Sequence, residues 1–253
     1  MSSCLKFFIT RDIIRRESVK RKYSILVFVA VIIFFSPGMR LSAQENKEIR
    51  FIPIGDSYTI GTGASAQESW PALLTSHLKS EGFNIHLANN PAHAGWTTVH
   101  AIKLELPVLK EGNPNFVTLM IGVNDWTQGM EGAEFRRNFV YLLDAIQAEL
   151  KGKGQLLVVN IPDFSMTPSG KAFGRGRDIS KGIGEFNQII VDESHKRGLL
   201  VVDVYSVSQK MRDNPAMIAA DGLHPSAKGY LLFEEAIYPE ARKLLENSGK
   251  GNS

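Results

Sequence analysis

Short apolar runs punctuate this chain, and segments with helical periodicity separate them. The runs lie at 49–55, 83–88, 116–121, 155–161 and 199–204. Those at 116–121 and 155–161 are almost continuously apolar, the second rich in Val and Leu, and do not alternate with polar residues. A strand of that kind is covered on both faces, as in a parallel sheet. Between the runs, Phe135, Phe139, Leu142, Leu143, Ile146 and Leu150 recur at helical spacing and predict a helix over 132–150. Ser69-Trp70-Pro71 opens an earlier helix, with Ser69 as N-cap and Pro71 in the first turn, where its missing N–H costs nothing. Leu73, Leu74 and Leu78 give that helix its apolar face, and Gly82 ends it. Further helices are expected near 99–106, from Ile179 through Val191 to a close at Gly198, and over 226–245. Strands alternating with helices imply an α/β fold on a parallel sheet. At 253 residues, the chain is long enough for one domain with a sizeable core, or at most two small ones.

The amino terminus stands apart. Residues 1–43 hold eight of the Lys and Arg residues and two of the acids, so residues 44–253 carry a net −3 against +3 for the whole chain. The body therefore gives no electrostatic reason to expect a nucleic-acid partner. Arg21-Lys22 precede an unbroken apolar run over 25–35. That run is short for a membrane span, which needs about 20 residues, and fits the core of a secretory signal. Pro37-Gly38 break it, and Leu41-Ser42-Ala43 offer a cleavage site before Gln44. The expectation is a signal peptide over 1–43 and an exported, periplasmic or secreted, body over 44–253. An uncleaved anchor, which would be its contact with a membrane, remains open. The stretch before Arg21 is long for such a leader and points to translation starting nearer Val19. The single cysteine, Cys4, excludes an intrachain disulfide and a cysteine-ligated zinc site.

The first run ends in Gly55-Asp56-Ser57, and Ile60-Gly61-Thr62-Gly63 follow. This reads as a buried strand that stops at a tight turn and presents a serine at its carboxyl end, the edge where open α/β sheets bind ligands. A serine there is a candidate nucleophile if the chain also supplies a base, an orienting acid and oxyanion donors. Asp221-Gly222-Leu223-His224-Pro225 offers the base, with an acid on the same turn of chain. Gly122-Val123-Asn124-Asp125 follows the third run, and Ala94-Gly95-Trp96-Thr97-Thr98 follows the second. Both belong to the same sheet edge as Ser57.

Together, Gly55-Asp56-Ser57, Gly95, Gly122-x-Asn124-Asp125 and Asp221-x-x-His224 resemble the four sequence blocks of the SGNH (GDSL) hydrolases, in the family's order. The resemblance covers essentially all of residues 49–245. It implies a flavodoxin-like three-layer α/β/α sandwich with a five-stranded parallel sheet, and a serine hydrolase acting on carboxylic esters. By position it implies Ser57 as nucleophile, His224 as general base and then acid, and Asp221 as the group that orients His224. It makes the Ser57 N–H, the Gly95 N–H and the Asn124 side-chain amide the oxyanion hole. Such donors stabilise the charge that builds on the carbonyl oxygen. Gly95 fits because a residue without Cβ lets the backbone approach a substrate. No metal or cofactor is implied. The G-x-S-x-G elbow of the α/β-hydrolases is absent.

Asp56 and Asp125 read as turn-forming, hydrogen-bonding residues. The histidines at 77, 86, 93, 100 and 195 show no metal-ligand grouping. All three tryptophans adjoin these segments. Trp70 is expected to pack in the core, whereas Trp96 and Trp126 are either core residues or walls that stack on a substrate. The substrate expected is a small-molecule or glycan ester. Carbohydrate deacetylation is one such reaction. Lysophospholipase, thioesterase and acyltransferase chemistry would use the same residues, and a non-catalytic glycan-binding protein is the remaining alternative. The irregular stretch 162–178 is either a lid or binding loop, or a surface loop without a role. Oligomeric state is not legible.

Overall fold

The computed structural model describes residues 47–212 and 214–250, so the leader expected over 1–43 lies outside the described residues. Strands β1 (Ile49–Gly55), β2 (Ile85–Leu87), β3 (Phe116–Met120), β4 (Gln155–Val159) and β5 (Val201–Val202) form one parallel sheet in the order β2-β1-β3-β4-β5. β3 is buried along its whole length and β1 over its last five residues, as covering on both faces requires.

The helices are α1 (Ser57–Ile60), α2 (Trp70–Ser80), α3 (Thr98–His100), α4 (Leu106–Gly112), α5 (Val123–Gln128), α6 (Gly132–Leu150), α7 (Gly170–Gly174), α8 (Ile179–His195), α9 (Val204–Gln209) and α10 (Ala227–Lys250). α2 packs on α10, while α6 packs on α8 and on α4. These two groups cover the sheet. The six apolar residues expected to line α6 are all buried.

Strand order places the site. From β1 the chain crosses to β2 on one side, then returns past β1 to β3 on the other. β1 and β3 are neighbours in register, Gly55 opposite Met120, so the loops that leave them diverge from one crevice at their carboxyl ends.

Local departures from the sequence reading have local causes. Ser69 stands at the N-cap of α2, but its hydroxyl donates to the Ala66 carbonyl (2.8 Å) and caps nothing. The fifth strand pairs only at Val201–Val202, because the chain turns into α9 at Val204. Asp203 caps that helix by accepting from the Ser206 N–H, and Asn160 Oδ1 accepts from the N–H groups of Val204 and Tyr205 (2.8 and 3.0 Å). The helix expected near 99–106 runs from α3 through a π-helical turn, Ala101–Glu105, into α4. α10 continues past residue 245 and holds Pro239 in its interior.

Candidate active site

Ser57 opens α1 directly after β1. Asp56 caps this short helix, its carboxyl accepting from the Tyr58 N–H (3.1 Å). Three contacts hold the turn. Glu105, fully buried on the π-helical turn, accepts from the Gly55 N–H (2.8 Å). The Tyr230 hydroxyl of α10 donates to the Thr62 carbonyl (2.8 Å) and lies 3.4 Å from that of Ser57. Gly63 brings the turn against the His224 loop. A Cβ on Gly63 would stand 2.7 Å from both Ala219 Cβ and the Pro225 carbonyl oxygen.

The second segment begins at Asp221. Its Oδ1 accepts from the N–H groups of Leu223 (2.8 Å) and His224 (3.0 Å), which folds the turn back on the carboxylate. Its Oδ2 takes the Nδ1–H of His224 at 2.6 Å, so Nε2 is left as the basic nitrogen. Partial burial raises the Asp221 pKa, but hydrogen bonds from the His224 ring and the two N–H groups more than offset it and hold the carboxyl below its ordinary value. Asp221 is therefore an anion at neutral pH. Stretch 162–178 supports this turn: the Ser169 N–H and hydroxyl donate to the carbonyls of Gly222 and Asp221, both at 2.8 Å.

Gly95 comes from the loop after β2, and Asn124 from the first turn of α5, after β3. The Asn124 amide donates to the Trp96 carbonyl (2.9 Å), which joins that loop to α5 and leaves its second N–H without an acceptor among the described residues. Gly95 has φ +81°, a left-handed conformation that favours glycine. Apart from its chain neighbours, no atom of the described residues lies within 4 Å of where its Cβ would stand, so the backbone conformation, not crowding, demands glycine here. Among the described residues no acceptor takes the N–H of Ser57 or of Gly95.

Ser57, Gly95, Asn124 and His224 line one cavity of about 150 Å³. Tyr58, Val123, Phe164, Phe173 and Leu223 supply most of its apolar wall. Within the described residues, Ser57 Oγ makes no hydrogen bond, to His224 or any other group. Catalytic hydrogen bonds commonly tighten only once substrate is bound. The arrangement holds a hydroxyl, an imidazole oriented by a carboxylate, and donors around one space, which is what acyl transfer needs.

The tryptophans are not part of that wall. Trp126 is 6% exposed, packed edge-on against Phe164, and covered by the Arg177 guanidinium 4.0 Å from its ring centre. Of the two readings open to Trp126, core residue or substrate wall, its burial in the core cluster fits the first. Trp96 stacks with His93 (5.0 Å) and His100 (6.1 Å) and does not line the cavity either. Trp70 is fully buried, as expected.

Sequence reasoning missed Glu105, Tyr230 and the aromatic pair Phe164 and Phe173. It left the acids underestimated. Asp56 is buried, and its pKa is pushed up to about 8, chiefly by desolvation, with Asp125 adding charge repulsion. Burial pushes Glu105 to about 8 as well. Asp125 is also raised by burial, although it accepts from the Thr98 N–H and hydroxyl. Only the pattern Gly-Asp-Ser and Asn-Asp next to apolar runs hinted at buried acids.

The GDSL-like lipase/acylhydrolase family model matches residues 54–232. The esterase TesA of Pseudomonas aeruginosa is 24% identical over 205 residues, 81% of this chain and 94% of that protein. The solved TesA structure, 23% identical, superposes with a TM-score of 0.63 over 77% of this chain and 99% of its own. A multidomain esterase of Ruminococcus flavefaciens is 22% identical over 89% of this chain, which spans only 32% of that protein. The structure of a family 3 carbohydrate esterase of Clostridium thermocellum, 23% identical, aligns with a TM-score of 0.62 over 76% of this chain and 94% of its own. A flavodoxin-like sheet, a cavity at its carboxyl edge and a family match over most of the chain agree: this protein belongs to the GDSL-like lipase/acylhydrolase family and is a carboxylic ester hydrolase.

Proposed function

We propose that the protein hydrolyses esters through a Ser57–His224–Asp221 triad and a covalent acyl-enzyme. The observation that carries this reading is the convergence of Ser57, Gly95, Asn124 and His224 on one cavity, with His224 fixed to Asp221 at 2.6 Å. Ser57 Oγ attacks the ester carbonyl carbon and its proton passes to His224 Nε2. The carbonyl oxygen becomes an oxyanion held by the N–H groups of Ser57 and Gly95 and the free N–H of Asn124. The bond to the leaving oxygen then breaks, and His224 returns the proton to that oxygen, releasing the alcohol. Water, deprotonated by His224, attacks the acyl-enzyme, and collapse restores Ser57 and releases the acid. Asp221 stabilises the imidazolium in both halves without taking its proton.

The test is hydrolysis of p-nitrophenyl acetate and octanoate by residues 44–253, beside Ser57→Ala. The reading requires acetate turnover that the substitution abolishes. A folded wild type that cleaves neither ester, yet binds a glycan, would replace it with the non-catalytic alternative. Transfer to an added alcohol in competition with water would identify an acyltransferase, and a strong octanoate preference would favour lysophospholipase or thioesterase action.

Carbohydrate deacetylation is a second reading, favoured by the small cavity and by the likeness to a carbohydrate esterase. Failure to release acetate from acetylated sugars while long acyl esters are cleaved would dismiss it. We also propose that residues 1–43 direct export. Amino-terminal sequencing of the protein recovered from the periplasm or medium should begin at Gln44; a cytoplasmic protein retaining Arg21 to Ala43 would contradict it.

A further inference from the structure

A second cavity of about 360 Å³ adjoins the first and is lined by Asn124, Thr127, Gln128, Ala172, Phe173 and Arg175. Asn124, Thr127 and Phe173 line both cavities, so the two adjoin at Asn124. Ser57, Leu223 and His224 line only the first.

Resting on the triad reading above, this asymmetry assigns the two halves of an ester. The leaving oxygen must receive its proton from His224, so the alcohol part lies on the His224 side. The acyl part is then left the path past Asn124, into the second cavity. That cavity differs in chemistry from the first. Its lining includes two amides, a hydroxyl and a guanidinium. Arg175 is exposed and has no carboxylate partner among the described residues, whereas Arg177 beside it is committed to the carbonyls of Trp126 and Thr127. Arg175 also holds a left-handed backbone, φ +50°, at the end of α7, which sends the chain back toward α5. Lys171, on the same helix but outside the lining, is also exposed and has no carboxylate partner among the described residues.

We infer that this cavity is a subsite for the acyl group, and that it selects acyl chains ending in a carboxylate, that is, half-esters of dicarboxylic acids. Hydrolysis then yields the alcohol and the dicarboxylate, through the same acyl-enzyme. An acetyl group carries no terminal charge for Arg175 to meet, so this inference extends the general esterase reading and competes with carbohydrate deacetylation.

The experiment compares the mono-p-nitrophenyl ester of adipic acid with p-nitrophenyl hexanoate, which has the same chain length and no terminal charge. The ratio of their kcat/KM values is measured for wild type, Arg175→Gln and Arg175→Lys. Arg175→Gln should lower the adipate-to-hexanoate ratio about threefold to tenfold, the range of a solvent-accessible charge-assisted contact, because only the adipate chain ends in a charge. Arg175→Lys should recover part of it, and added salt should shrink the wild-type ratio. A ratio that Arg175→Gln leaves unchanged, with both esters cleaved, would overturn the subsite and leave the triad standing. A folded wild type that cleaves neither these esters nor p-nitrophenyl acetate would overturn the triad reading, and the subsite with it.

Discussion

Asp221 makes its contribution through two oxygens with different partners. Oδ1 shapes the turn and Oδ2 holds the imidazole. Asp221→Asn keeps the first role and presents an N–H to Nδ1, which selects the wrong tautomer. A fall in kcat of roughly 10,000-fold is expected, with little change in melting temperature. Asn124→Ala removes a proposed oxyanion donor and should cost about 100- to 1,000-fold in kcat. Glu105 acts on stability. Its carboxyl sits near 8 when folded against an ordinary value of 4.5, because burial disfavours its charge. A group that holds its proton more tightly when folded adds stability that is fully present below its unfolded pKa and is lost as pH rises through its folded one. Asp56, pushed up to about 8 from 3.8, acts in the same sense. Thermal stability should therefore decline between about pH 4.5 and 8, and Glu105→Gln should flatten part of that slope. A denaturation series across this range reads it directly; stability that climbs to pH 8 equally in both proteins would count against a neutral Glu105.

At the scale of elements, α10 and stretch 162–178 act as supports for loops they do not belong to. Tyr230 reaches from α10 to the carbonyl of Thr62. Tyr230→Phe should cost about 1 kcal/mol of stability and lower kcat more than it changes KM, because the Ser57 turn is loosened while the cavity wall is kept. Arg177 ties the other stretch to α5 through the carbonyls of Trp126 and Thr127 and through the Trp126 ring. Arg177→Ala should raise KM for all esters together and lower the unfolding free energy by about 1–2 kcal/mol. An unchanged KM in that variant would show that α5 is held without it. Neither support was legible in the sequence. A clamp between residues 51 positions apart, such as Arg177 on Trp126, leaves no local pattern. By contrast α6 was legible to the residue, because its burial follows helical spacing. α9 was missed because Val204 continues an apolar run, and only the capping of Asp203 and Asn160 reveals where the strand ends.

For the molecule as a whole, the order of apolar runs and helices carried the fold, since strands buried on both faces have few other ways to assemble. The same order brings Ser57 and Asn124 to the divergence between β1 and β3, so much of the site followed from topology. What topology could not convey was how deep each aromatic lies. Trp126 flanks Asn124 in sequence but turns into the core, while Phe164 and Phe173, distant in sequence from Ser57, wall its cavity. The central claim is that Ser57 is the nucleophile activated by His224. Its most direct test is covalent capture. The protein is treated with diethyl p-nitrophenyl phosphate and digested, and the modified peptide is located by mass spectrometry in wild type and His224→Ala. A single diethylphosphoryl group on Ser57, formed rapidly in wild type and far more slowly in His224→Ala, is the expected result. Labelling at another residue, or equal labelling of Ser57 in both proteins, would contradict it.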